Sequence, residues 1–117
     1  MSLPPILAKR AAGNAILLDL SVPAELDVFR GHFPEMPVLP GVVQIDWALR
    51  LARAQGLIGG EAEMRDFQVK FRNIIRPQMP LTLTLRFDDI KRRVHFDYHC
   101  AGALMSSGHL NLRADVP

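Results

Sequence analysis

Cysteine is nearly missing from this chain: Cys100 is the only one in 117 residues. A lone thiol excludes an internal disulfide, so a reducing compartment, the cytoplasm, is the simpler expectation. Long apolar runs are also missing. None reaches membrane-spanning length, and Met1 to Arg10 does not read as a signal peptide, so no membrane association is expected. Net charge is small, +2, and evenly spread, which argues against nucleic acid as a partner. There is neither an internal repeat nor a low-complexity linker. What remains is a chain that is 49% hydrophobic, enough for a packed core in one domain over residues 1–117. A chain this short buries a modest share of its surface, and oligomerisation is a common remedy.

Proline, by contrast, is concentrated. Pro34, Pro37 and Pro40 punctuate the stretch from Gly31 to Gly41, where they forbid a regular helix or a central strand. Before it, Asn14 to Val22 (NAILLDLSV) reads as a strand ended by Pro23, with one short helical turn over Ala24 to Phe29. After it, Gly41 to Gln55 reads as the one substantial helix, stopped by Gly56. On a wheel of 100° per residue, Asp46, Arg50 and Arg53 share a narrow arc. Val42, Val43, Ile45, Trp47, Ala48, Leu49, Leu51 and Ala52 fill most of the rest, so the helix must be largely buried.

The second half supplies the wrapper. EMRDFQVKFRN, LTLTLRFDD, RVHFDYHC and ALMSSGHLNL alternate or carry β-branched and aromatic residues, and RPQMP, DDIK and AG separate them as turns. In LTLTLRF, Leu81, Leu83 and Leu85 fall on one face, with Thr82, Thr84 and Arg86 on the other. One leading strand, one buried helix and four further strands predict an α+β layer: an antiparallel β-sheet wrapped around one long central helix.

The segment GHFPEMPVLPGVVQIDWA resembles the active-site signature of the β-hydroxyacyl-acyl carrier protein dehydratases, hotdog-fold enzymes of fatty acid synthesis. That signature runs Gly-His-Phe-Pro, then Pro-x-x-Pro-Gly-Val, then an acidic residue fourteen positions after the histidine. His32 and Asp46 keep the interval, and Pro37, Pro40 and Gly41 keep the landmarks between them. FRNIIRP (Phe71 to Pro77) resembles the strand-and-turn segment those enzymes carry after the helix. The similarity is strong over Val28 to Pro77 and one of strand pattern beyond.

The resemblance implies a lyase that converts 3-hydroxyacyl thioesters, on acyl carrier protein or coenzyme A, to trans-2-enoyl thioesters, with no metal or redox cofactor. His32 suits the base for the C2 proton, because an imidazole titrates near working pH. Asp46 suits the acid or water-positioning group at C3, given an apolar pocket that favours its neutral form. The Gly41 amide, at the start of the helix, suits the developing thioester oxyanion. Phe33, Pro34, Pro40, Val42, Trp47, Arg50, Phe71 and Arg72 are the expected substrate-binding residues. In those enzymes two subunits share each site, the histidine from one and the carboxylate from the other. A homodimer is then the smallest active unit, with a dimer of dimers or a trimer of dimers as larger forms.

Two departures stand out. The family usually has Gln four residues after the acid, where this chain has Arg50. Arg50 either pairs with Asp46 across one helical turn, which works against a proton donor, or turns toward the phosphate of a carrier arm. The common bacterial enzymes also carry a longer segment before the first strand than Met1 to Gly13. Short, divergent members act on special acyl chains such as polyenes. His95, His99 and His109 lack metal-ligand spacing and read as structural, and Cys100 reads as packing. Lys91 to Arg93, with Arg72 and Arg76, form a candidate patch for an acidic carrier protein or a coenzyme A phosphate. Two alternatives to the dehydratase remain: a hotdog thioesterase, against which His32 and its loop argue, and a non-catalytic acyl-thioester binder or dimerisation partner, favoured if Asp46 is locked to Arg50 and facing solvent.

Overall fold

The computed structural model describes residues 1–30 and 36–114. Among them are six strands and one long helix: β1 (Ile6–Ala12), β2 (Ala15–Leu20), α1 (Gly41–Ala54), β3 (Met64–Phe71), β4 (Leu81–Asp88), β5 (Arg93–Cys100) and β6 (Ala103–Leu112). A short 3-10 turn at Asp27–Phe29 falls inside the helical turn expected there. The strands form one antiparallel sheet in the order β1-β2-β4-β5-β6-β3.

Period-two alternation decides which face of the sheet meets the helix. Leu81, Leu83 and Leu85 of β4 are buried, as are Val94, Phe96 and Tyr98 of β5, while the residues between them are only partly covered. Trp47, Ala48, Leu51 and Ala52 of α1 join these strands in the core, all at most 1% exposed. Each large apolar side chain enclosed this way contributes about 1.5–3 kcal/mol relative to exposure. Helix α1 ends where expected. Gly56 takes φ +72°, its amide donates to Arg53 O, and the Leu57 amide donates to Ala52 O, a paired closure of the last turn.

Two expectations need correction. A single leading strand was expected, yet residues 6–12 form β1, hairpinned to β2. All seven residues of β1 are exposed, so no buried face imposes the alternation that marks a strand. β1 is held instead by its ladder and by Arg10, whose guanidinium lies 2.8 Å from Asp19, which also accepts from the Thr82 hydroxyl at 2.9 Å. Secondly, Val42 was counted among the buried helix residues but is 66% exposed, whereas the polar Gln44 is 3% exposed.

Edge strand β3 sits very close to β6. A Cβ at Gly108 would collide with the Gln68 carbonyl oxygen and lie 2.9 Å from Val69 Cα, both of them backbone. Gly108→Ala therefore forces the β3–β6 pair apart. Urea unfolding should show a loss of roughly 1–3 kcal/mol, typical of overpacking.

Candidate active site

The site begins at the N-terminus of α1. Pro40, the N-cap, has φ −62° and ψ 149°, and its carbonyl accepts from the amides of Val43 and Gln44, at 3.1 Å each. Among the described residues, the amides of Gly41 and Val42 meet no acceptor. They are the free donors of the first turn, where the helix dipole adds positive potential. Phe71 of β3 lies directly over Gly41, and a Cβ there would collide with its ring. Glycine is what lets the aromatic ring reach the helix backbone.

Gly41, Val42 and Asp46 of α1, with Met64, Phe67 and Phe71 of β3 and with Met1, line a cavity of about 440 Å³. Its walls are mostly apolar, and Asp46 is the one residue with an ionisable side chain among them. Arg50 takes the first of its two expected courses: its Nη1 lies 3.2 Å from Asp46 Oδ2 and donates to the Met1 carbonyl at 2.6 Å. About a third of each side chain is exposed, and the pair is worth under about 1 kcal/mol. Among the expected substrate-binding residues, the structure thus brings Val42 and Phe71 to the cavity that Gly41 and Asp46 share.

Others lie elsewhere. His32, Phe33 and Pro34 are outside the described residues. Pro40 caps the helix and is not among the cavity's lining residues. Trp47 is fully buried, its indole N–H donating to Ser2 O at 2.9 Å, so it belongs to the core rather than to a tunnel wall. Arg72 faces a second cavity, of about 720 Å³, with Asn73, Ile74 and Arg76, because it follows Phe71 by one residue and takes the opposite side. The expected basic patch divides. Arg72 and Arg76 lie near the Cys100–Ala103 end of the sheet, and Lys91 to Arg93 lie at the other end of β5, roughly 24 Å away at about 3.4 Å per strand residue. Cys100 is a buried free thiol.

The residue missed in the sequence is Gln44. Its Nε2 donates to Leu39 O at 3.1 Å and its Oε1 accepts from Ser106 Oγ at 2.7 Å. Its backbone carbonyl accepts from the Tyr98 hydroxyl at 2.6 Å. Burial, with a smaller push from Asp46, holds the Tyr98 phenol well above its ordinary value, so it stays a donor. A lone amide on the apolar side of the helix was the available signal.

Comparison with known proteins settles the family. The model of the ApeI-like family, ApeI dehydratase, matches residues 8–109. The chain belongs to the ApeI-like dehydratase family. The dehydratase heterocomplex ApeI:P from Xenorhabdus doucetiae superposes on this ApeI-like chain with a TM-score of 0.86 at 30% identity, covering 97% of it and 100% of that chain. An uncharacterised protein from Erwinia carotovora superposes at 0.82 with 28% identity, over 96% and 97% of the two chains. These likenesses place the chain in the α+β hotdog fold. Among curated proteins, the 3-hydroxyacyl-[acyl-carrier-protein] dehydratase FabZ of Oenococcus oeni is 34% identical over 94 residues, 71% of this chain and 64% of that protein. The corresponding FabZ of Novosphingobium aromaticivorans is 35% identical over 77 residues, 56% and 47% respectively. The chain thus spans about half to two thirds of the curated relatives it matches.

On the outer face of the sheet, the His95 and His109 rings meet edge-on at 5.8 Å, and among the described residues no group of three His, Cys, Asp or Glu could hold a metal ion. Burial, then Arg86, the neighbouring ring and Arg93, lower His95 despite Asp88. Burial, then Arg93 and Lys91, lower His109 despite Asp66. An imidazole lowered by folding binds its proton more readily in the unfolded chain. Stability is therefore full above the ordinary value of 6.5 and lost as pH falls through it toward the lower folded values. Denaturant midpoints measured from pH 7.5 to 5 should fall, and should fall less in His109→Gln.

Proposed function

We propose that this protein dehydrates 3-hydroxyacyl thioesters, carried on acyl carrier protein, to trans-2-enoyl thioesters in the cytoplasm. The observation that carries the reading is the pairing of a helix-N-terminal amide with a carboxylate in one apolar cavity, immediately after the Pro37-to-Pro40 segment. His32 takes the C2 proton, and the electron pair of that C–H bond becomes the C2–C3 double bond. The C3 hydroxyl leaves as water, taking its proton from Asp46, or from the His32 imidazolium where Asp46 only steers it. The Gly41 amide holds the thioester oxygen as charge grows there, a contribution of roughly 3–4 kcal/mol for one such donor. Membership of the dehydratase family supports the reaction, and the FabZ relatives support the carrier thioester.

The cavity is open on one side. Val42, Phe67 and Phe71 expose apolar surface there, beside β3, which is an edge strand among the described residues. A second copy of the chain, adding β3 to β3, would cover that surface, in keeping with the two-subunit site that the family resemblance implies. Arg72 and Arg76 are then available to the phosphate of the carrier arm. In its neighbour from X. doucetiae the dehydratase is a heterocomplex, so a non-identical partner is the alternative occupant.

One observation favours a second reading, a non-catalytic acyl-thioester binder: Asp46 is paired with Arg50. Its position in the cavity lining weighs the other way.

The enoyl absorbance of a 3-hydroxyacyl-carrier thioester distinguishes these readings. His32→Ala should abolish the signal and Asp46→Asn nearly so. Full activity in His32→Ala would end the dehydratase assignment, and release of free thiol instead would indicate a thioesterase. Mixed dimers of the two inactive variants should regain part of the activity, and no rescue in verified mixed dimers contradicts shared sites.

A further inference from the structure

We propose that Gln44 is a positioning residue of this site, holding the Leu39–Pro40–Gly41 backbone so that the free Gly41 amide stays fixed at the cavity. The inference rests on the dehydratase reading of that cavity. Two residues, Leu39 and Pro40, lead into the helix, and each is constrained differently. The Leu39 amide donates to Ile75 O at 2.7 Å, and the Leu39 carbonyl accepts from the Gln44 side chain at 3.1 Å. Pro40 has no amide and a fixed φ, and its carbonyl is occupied by Val43 and Gln44. The backbone bonds to Pro40 O thus hold the peptide plane that carries the Gly41 amide, and the Gln44 side chain holds the plane before it, Leu39 to Pro40, which sets how the chain enters the helix.

Gln44 is in turn held from the sheet. Ser106 Oγ donates to its side-chain oxygen, which orients the amide so that the nitrogen faces Leu39. Tyr98 anchors the same residue's backbone. Ser106 is fully buried and lies opposite Phe71 in the β3–β6 ladder, so the strand that places the ring over Gly41 is registered against the group that orients Gln44. Filling the core does not explain this arrangement. An apolar residue of similar size at 44, with alanine at 106, would fill it: removing both partners of the 44–106 hydrogen bond is nearly neutral, and only the Leu39 carbonyl, left without its donor, costs stability. What such a pair loses is the tether on the Leu39 carbonyl.

The test is the double variant Gln44→Met/Ser106→Ala, with Gln44→Glu as a second probe. The double variant should remain folded, with a melting temperature lowered modestly by the unpartnered Leu39 carbonyl. Turnover should fall about 100-fold, the effect of a small misplacement at a reacting centre. KM should change by less than about twofold, because the lost interaction acts in the transition state. In Gln44→Glu the ionised carboxylate accepts from Ser106 but cannot donate to Leu39, whereas the neutral carboxyl can. Its turnover relative to the parent should therefore rise as pH falls. Turnover within twofold of the parent in the double variant, or a loss matched by equal loss of binding to an unreactive acyl thioester, overturns the assignment. A parent protein that dehydrates no 3-hydroxyacyl thioester overturns the function instead. The hydrogen-exchange rate of the Gly41 amide in parent and double variant then decides the Gln44 role, and an unchanged rate removes it.

Discussion

Enclosure of helix α1 is the constraint from which the rest follows. Seven of its fourteen residues are buried, and Trp47, Ala48, Leu51 and Ala52 need an apolar surface against them. The inner faces of β4 and β5 supply it. A single curved sheet covers a helix on one side only. Val42, Asp46, Leu49 and Arg50 remain on the uncovered side, where β3 brings Phe67 and Phe71 alongside. The cavity is thus the part of the helix surface that the sheet does not reach, and its reactive groups take their positions from the core behind them.

Strand β3 reaches that position through two glycines. At Gly108 the missing side chain lets the β3 backbone lie against β6, and at Gly41 it lets the Phe71 ring lie on the first turn of the helix. Both contacts depend on the same strand, so the lateral placement of β3 and the shape of the cavity are one variable. The buried cluster of Gln44, Ser106 and Tyr98 crosses the same ground from the other side of the core. Polar groups in such a place are tolerated because every one of them is matched, and matched polar groups fix orientation in a way that apolar packing does not.

How much of this was legible in the sequence depends on what each segment faces. Strands β4 and β5 declared themselves because a buried face and a wet face alternate along them, and the helix did so because its apolar girth is framed by Pro40 and Gly56. β1 did not, because exposed on every residue it carries no pattern to read. The sequence pattern, through the family it resembles, named Asp46 and Gly41 as candidates, and the two line one cavity. It could not distinguish Val42 from Trp47, both apolar, since only the direction of the sheet decides which of them meets the core. Gln44 was invisible as a functional residue because its partners, Leu39, Tyr98 and Ser106, are set by tertiary folding and two of them lie more than fifty positions away.

The two rims of the sheet are unlike. At β1 the register slips between Ile6 and Ala8, and Lys9 and Arg10 stand on the open ladder. A kinked, cationic margin repels an incoming strand. At β3 the margin is straighter over Phe67 to Phe71 and bears aromatic rings. Addition of a strand from another chain is therefore opposed at β1 and open at β3, so the sheet does not invite extension from both of its edges.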